Sequence, residues 1–207
     1  MALGAAGIAL GLSLAACGSS SAVGAGATTS AAPSSAGSPA AGGSQAPVPV
    51  ESRPPGDIPD NVAFVSYTNP VAGYSFTHPE GWARTEDGST VTFTDKLNGI
   101  RADTTALPTT LDEATVRSQE LRALQAAQPA FELVSVAPVT LPAGSGVQVV
   151  YRRNSAPDPV TGRQVRDEVQ EYLVSNGASA VRLSLFGPVG ADNVDAYRTI
   201  SQSLALM

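Results

Sequence analysis

Apolar and polar side chains alternate in short runs from about Val62 to Leu206, and Gly, Pro and Asn break the runs at close intervals. The stretch "GYSFTHPEGWA" reads as a short strand, Tyr74 to Thr77, stopped by the Pro79-Glu80-Gly81 turn, with Trp82 packing back onto it. In "STVTFTDK", Val91 and Phe93 alternate with Thr90, Thr92 and Thr94, the pattern of a half-buried strand. "GIRADTTAL" is its expected partner across a Leu97-Asn98-Gly99 turn, because Asn-Gly favours a tight hairpin. A helix is then expected over "TLDEATVRSQELRALQAAQP". Thr110 and Glu113 stand at capping-box spacing, Pro129 closes it, and Ala114, Leu121 and Leu124 form a thin apolar stripe.

Four strand patterns come next in the chain, "FELVSVAPVTL", "GVQVVYRRN", "QVRDEVQEYLVS" and "SAVRLSLFG". Val147, Val149 and Tyr151 alternate with Gln148, Val150 and Arg152, while Val181, Leu183 and Leu185 alternate with Arg182, Ser184 and Phe186. The connections, "NSAPDPVTGR" and one through Asn176-Gly177, are short enough to force an antiparallel meander. Val194, Tyr197, Ile200 and Leu204 fall on one face of a closing helix, with Asp192 near the positive end of its dipole. Strands covered by helices make the expected fold class α+β, an antiparallel β-sheet flanked by helices.

The chain before this domain is built differently. From Met1 to Val50 there is no Asp, Glu, Lys, Arg or His. "MALGAAGIALGLSLAAC" is apolar and rich in small residues, shorter than the run of about 20 that spans a bilayer as a helix. The stretch after Cys17 is Gly, Ser, Ala and Pro with almost no large apolar side chain, which cannot offset the entropy of ordering. The expected organisation is a signal segment over 1–16, a tether over 17–60 and one domain over 61–207. A flexible tether of roughly 40 residues has an r.m.s. span of about 35 Å. Thr28, Thr29, Ser30, Ser34, Ser35 and Ser38 stand in its Pro-containing part, either as plain solubilising spacer or as acceptors for O-linked sugars.

Charge narrows the partners. A net charge of -6 leaves no basic stripe for phosphates, so nucleic acid is not an expected partner. Lys96 is the only lysine, and with abundant Ala, Gly and Pro this reads as the coding bias of a GC-rich bacterial genome. A single cysteine, Cys17, excludes an internal disulfide and a Cys-rich metal site.

Leu14, Ala15, Ala16 and Cys17 resemble the lipobox of bacterial lipoproteins. That resemblance implies a diacylglycerol thioether on Cys17, cleavage just before it, and anchoring by two or three acyl chains, more than the single chain that binds only marginally. The competing reading is a buried structural cysteine at the end of a core helix. Signal sequences open with Lys or Arg, and "MALGAAG" has neither, so the start of translation is expected upstream of Met1. "YSFTHPEGW", the hairpin, the helix, the meander with a Thr-Gly turn and the closing helix together resemble the PsbP/Mog1-type α/β/α sandwich. With lipobox and tether included, the layout resembles actinobacterial lipoproteins of the LpqN sort. The resemblance implies a non-enzymatic binding or interaction module on the outer face of the plasma membrane, partnered by an envelope protein or lipid.

Little in the domain suggests catalysis. His78, the only histidine, precedes Pro79 at a strand end, no Gly-x-Ser-x-Gly elbow is present, and "PAGSG" leads into a strand where a phosphate loop would lead into a helix. No metal-ligand spacing and no cofactor motif occurs in the sequence. Alternation puts Asp167 and Glu171 on one face and Glu168 on the other, with Arg163 and Arg166 near, which reads as a solvated, charge-balanced hairpin. Arg152, Arg153, Arg163 and Arg166 are the candidates for meeting an anionic headgroup or a partner's carboxylate. Two further readings stand beside the interaction module. One is a carrier of an apolar ligand or lipid, held where Ala114, Ala123 and Ala127 leave room between helix and sheet; the other, more remote, is an envelope hydrolase.

Overall fold

Seven strands make one antiparallel sheet, and each of its faces is covered by different material. The structure, a computed structural model, describes residues 45–52, 55–104, 107 and 110–207. Three strands, β3 (Ala83–Asp87), β4 (Thr90–Asp95) and β5 (Asn98–Asp103), enter first. The meander β6 (Glu132–Leu141), β7 (Gly144–Asn154), β8 (Arg166–Ser175) and β9 (Ala180–Pro188) then returns so that β9 lies against β5. The order across the sheet is β3-β4-β5-β9-β8-β7-β6.

One face is sealed. Val91, Phe93, Ile100, Ala102, Leu183 and Leu185 point to it and are essentially inaccessible. Over them lie α3 (Val194–Gln202) and a separate three-stranded sheet of β1 (Phe64–Asn69), β2 (Tyr74–Pro79) and β10 (Ala205–Leu206), ordered β1-β2-β10. The strand read from "YSFTHP" therefore joins this smaller sheet, and its Tyr74 and Phe76 pack with Tyr67 and Phe93 in an aromatic cluster. Trp82 packs against the same core. The other face is covered over half its width by α1 (Glu113–Thr115), a π turn (Val116–Glu120) and α2 (Leu121–Ala127), which bury Val136, Val147, Val149, Tyr151, Val169 and Leu173.

Several local expectations shift. Asp112, and not Thr110, caps the first helix, its carboxylate accepting from Thr115 N at 2.7 Å. With the π turn between them, the buried apolar positions are Val116 and Leu124, eight residues apart, while Ala114 faces solvent. Ala123 and Ala127 also face solvent, so these alanines leave no room against the sheet. The β4–β5 reversal falls at Lys96-Leu97, two residues ahead of the Asn98-Gly99 pair. Asn98 is needed in the strand, where it donates to Gly56 O and accepts from Asn193 Nδ2, which belongs to the residue just ahead of α3. Gly99 is needed beside it, because a Cβ there would sit 2.1 Å from the Phe186 ring. Val194, at the outer end of α3, is exposed, and Ala196, Tyr197 and Ile200 carry the buried face.

Residues before 61 also belong to the packed structure. Ile58 is buried and its N–H donates to Asn193 Oδ1 at 2.8 Å. Val48 N–H donates to Asn154 Oδ1, whose own amide donates to Ala46 O, and Glu51 pairs with Arg163. Cys17 and the tether Ser and Thr residues lie outside the described residues.

Candidate functional site

Because the helices cover only half of the second face, an open cleft remains between α2 and the 155–165 loop. Its floor is made by side chains that alternate outward from the apolar core on β5, β7, β8 and β9. On β5 these are Arg101 and Asp103; on β8, Asp167 and Glu171; on β9, Arg182, Ser184 and Phe186; on β7, Tyr151 and Arg153. Two cavities open onto it. One of about 460 Å³ is lined by Leu124 of α2, Gln128 just beyond its end, Glu171, Arg182 and Ser184. The other, of about 580 Å³, is lined by Leu97, Pro157, Thr161, Arg163 and Val165 among others. Arg153 and Phe186 line both, with the Arg153 guanidinium 5.0 Å from the centre of the Phe186 ring, within cation–π range.

Two ionic couples are built into this floor. At one end Arg153 Nε faces Asp167 Oδ2 at 3.7 Å; toward α2, Arg182 Nε faces Glu171 Oε1 at 3.7 Å. Both carboxylates are only 3% exposed. The couples are held apart by second partners. Arg182 Nη2 donates to Glu120 at 2.6 Å, Arg153 Nη1 donates to Gln128 at 2.9 Å, and Glu171 Oε2 accepts from Tyr151 and Ser184 at 3.4 and 3.3 Å. The consequence is that Arg153 Nε, Asp167 Oδ1, Glu171 Oε1 and Arg182 Nε are buried with no hydrogen-bond partner. Each of the four has essentially no accessible surface, so the couples carry a desolvation cost that their own pairing only partly offsets.

Burial dominates the electrostatics. It raises Asp167 to about 6, against the opposing pull of Arg153 and Arg166. Glu171 moves the same way, again from burial first, with Arg182 and Ser184 opposing. Burial, and the charge of Glu171 beside it, push the Tyr151 phenol upward as well. The expectation of a solvated hairpin at "RDEVQE" is therefore corrected: Asp167 and Glu171 are core-side residues, shielded by α2 and the 155–165 loop.

The four candidate arginines separate. Arg153 lies in the floor, and Arg163 lines the cleft from the loop, paired with Glu51. Arg152 points to the opposite side, pairing with Glu168 at 3.2 Å and Glu132 at 3.7 Å. Arg166 is 2% exposed and structural in its contacts, donating to Ala130 O at 2.7 Å and Glu132 at 2.8 Å. Arg182 and Phe186 were not among the candidates, and Glu171 stood only in the carboxylate cluster read as solvated. Their signal was the polar half of the β8 and β9 alternation, where charged and aromatic side chains share one face.

His78 is remote from the cleft, its ring 3.8 Å from that of Phe93 on the sealed face, and burial lowers its pKa. Among the described residues no three His, Cys, Asp or Glu side chains converge as metal ligands, and no helix is long and apolar enough to cross a membrane. The site's chemistry is that of paired donors and acceptors around an aromatic floor.

The chain matches no protein-family model and no curated protein. Among solved structures it is similar to the Ran-binding protein Mog1p of Saccharomyces cerevisiae, 10% identical over 70% of this chain and 96% of that one, TM-score 0.45. It is also similar to LpqN of Mycobacterium tuberculosis, described as involved in cell envelope biogenesis, 13% identical over 72% and 92% of the two chains, TM-score 0.35. A structure from Bacteroides thetaiotaomicron is 17% identical over 69% of this chain, which spans 48% of that longer one, TM-score 0.41. At these identities the likeness concerns the fold alone.

Proposed function

We propose that this chain is a non-catalytic binding module, held by an acylated Cys17 on the outer face of the plasma membrane, whose cleft between α2 and the 155–165 loop receives a component of the cell envelope. The observation that carries the proposal is the pair of open cavities, of about 460 and 580 Å³, that meet at Arg153 and the half-buried Phe186. A wholly apolar guest would strip water from the guanidinium groups of Arg153 and Arg182 on the cavity walls without replacing it, which weighs against the apolar-ligand carrier. The loop rim is preorganised for contact. Asp158 Oδ1 accepts from Val160 N, Thr161 N and Thr161 Oγ1, and Val160 at the tip is 90% exposed.

The test places a photoreactive residue at Val160 on the cleft rim or at Val71 on the β1–β2 turn, in the protein made by its own host from its natural start. Both sites are about 90% exposed, so accessibility does not distinguish them. The expected result is one envelope adduct from the Val160 position, reduced by Arg153→Met, and none from Val71. Intact mass of the same protein should begin at residue 17 and include acyl chains absent from Cys17→Ala. Equal adducts from both positions overturn the cleft, and an unmodified soluble chain overturns the anchor.

A further inference from the structure

The larger cavity has a selectivity of its own, which rests on the cleft as the binding surface and narrows what it receives. Its volume of about 580 Å³ is that of a small-molecule site, and Leu97, Pro157 and Phe186 give it an apolar wall. Three cations, Lys96, Arg153 and Arg163, and three acids, Glu51, Asp158 and Asp167, stand around that wall. The acids are all engaged. Glu51 pairs with Arg163, Asp167 faces Arg153 at 3.7 Å, and Asp158 accepts from Val160 N, Thr161 N and Thr161 Oγ1 of its own loop. Lys96 is the exception, for among the described residues it makes neither an ion pair nor a hydrogen bond. Its backbone is a second, independent observation. Lys96 opens the two-residue reversal between β4 and β5 with φ +50°, in the left-handed region that favours glycine. The preceding two-residue reversal, between β3 and β4, has Gly88 at the same position with φ +59°. The only lysine of the chain thus stands where local conformation asks for glycine, and strain of this kind gathers at ligand contacts.

We propose that this cavity binds an amphipathic anion, a small molecule with an apolar or aromatic body and one carboxylate or phosphate group, its body against Leu97, Pro157 and Phe186 and its anionic group on the Lys96 ammonium. Charge complementarity selects this occupant. The anion meets the one wall cation that has no partner, whereas a cationic head would meet Lys96 and acids already engaged. Access is direct. Lys96 and Pro157 are exposed and Leu97 and Phe186 half-buried, so the guest reaches them without opening either buried couple.

The test titrates phenylbutyrate into the full chain carrying Cys17→Ser, with amide chemical shifts as the readout, beside phenylbutanol and phenylbutylamine, which keep the body and change the head. The expected result is saturable shifts around Lys96, Leu97 and Phe186 from the acid, weaker binding of the alcohol and none of the amine. Lys96→Gln should weaken the acid about 5-fold, as for loss of a charge-assisted contact, and remove the salt dependence of its binding. Lys96→Gly should weaken it as much while raising the unfolding temperature, because glycine relieves the backbone. Phenylbutyl phosphate separates the two sources of the anion. Tighter binding than the carboxylate supports the site with a phosphate headgroup as guest, and weaker binding supports it with a carboxylic acid. Equal binding of acid and amine, binding unchanged in a folded Lys96→Gln, or no saturable shifts from either anion would each overturn the proposal. If it falls while the Val160 photoadduct still forms, the binding cleft stands; if the photoadduct fails as well, both fall.

Discussion

The two faces of the seven-stranded sheet are written by the same strands and behave oppositely. On β8, Tyr172 and Val174 face the sealed side, while Asp167 and Glu171 face the cleft. On β9 it is Leu183 and Leu185 against Arg182 and Ser184. Both sets are largely removed from water, yet only the first is satisfied by burial alone. The sealed face gains from its removal from solvent, and the cleft face carries desolvated charge held by imperfect pairs. The comparison teaches that the stability of the domain rests on one face, while the other carries buried charge at a cost, the face on which the proposed recognition would act.

The largest effect that would break this division is expected from Leu185→Ala. Leu185 is fully buried between Ile100 of β5 and the layer of α3 and the small sheet. Truncation removes transfer energy and leaves a cavity, with an expected loss of about 4 kcal/mol in denaturant unfolding. A loss below about 1 kcal/mol would mean that the sealed face does not carry the fold.

The next effect belongs to the cleft and is a pH dependence. Burial raises the folded-state pKa of Asp167 from 3.8 to about 6. An acid raised on folding holds its proton more tightly in the folded chain than in the unfolded one. Its contribution is therefore fully present below about pH 4 and lost as pH rises through about 6. Glu171 is shifted in the same direction. Asp167 alone should remove about 3 kcal/mol between pH 4 and pH 7, seen as the difference between the parent and Asp167→Asn unfolding curves across that range. A parallel pair of curves would show that Asp167 is hydrated, contrary to a buried couple.

Sharper still, at about 2 kcal/mol, is Gly99→Ala. Its Cβ would lie 2.1 Å from Cζ of Phe186, so the ring has to leave its place in the cleft floor. Loss of stability is the expected outcome, and an unchanged unfolding curve would show that the Phe186 ring can shift without cost.

The sealed face was readable because its residues keep a plain two-residue alternation. "STVTFTDK" and "SAVRLSLFG" put apolar side chains at every second position, and those positions are buried. The cleft face was half readable. Alternation placed Asp167 and Glu171 together, but their polarity spoke for water, and what shields them, α2 and the 155–165 loop, is distant in sequence or depends on how a loop folds back. β3 left no trace because all five of its residues are exposed and its edge is guarded by Arg84, Glu86 and Asp87. At Asn98-Gly99 a local turn signal lost to tertiary demands, the Gly56–Asn98–Asn193 hydrogen bonds and the Phe186 ring. The helix stripe was displaced by a π turn, which no side-chain pattern in "ATVRSQEL" announces.

The smallest effect draws the boundary between the faces through two adjacent residues. Arg152 and Arg153 are chemically identical, and pleating turns them to opposite sides of β7. Arg152 is 34% exposed and pairs with Glu132 and Glu168, themselves 53% and 36% exposed, so Arg152→Ala should cost about 0.5 kcal/mol, screened further by salt. It should also leave the titration of Asp167 where it is, since the sheet lies between them. Arg153→Ala removes the leading favourable charge beside Asp167, and the carboxyl midpoint, followed by NMR, should move above about 6. If Arg152→Ala moved that midpoint as far, the two faces would be electrostatically one, and the cleft couple would lose its claim to be a separate device.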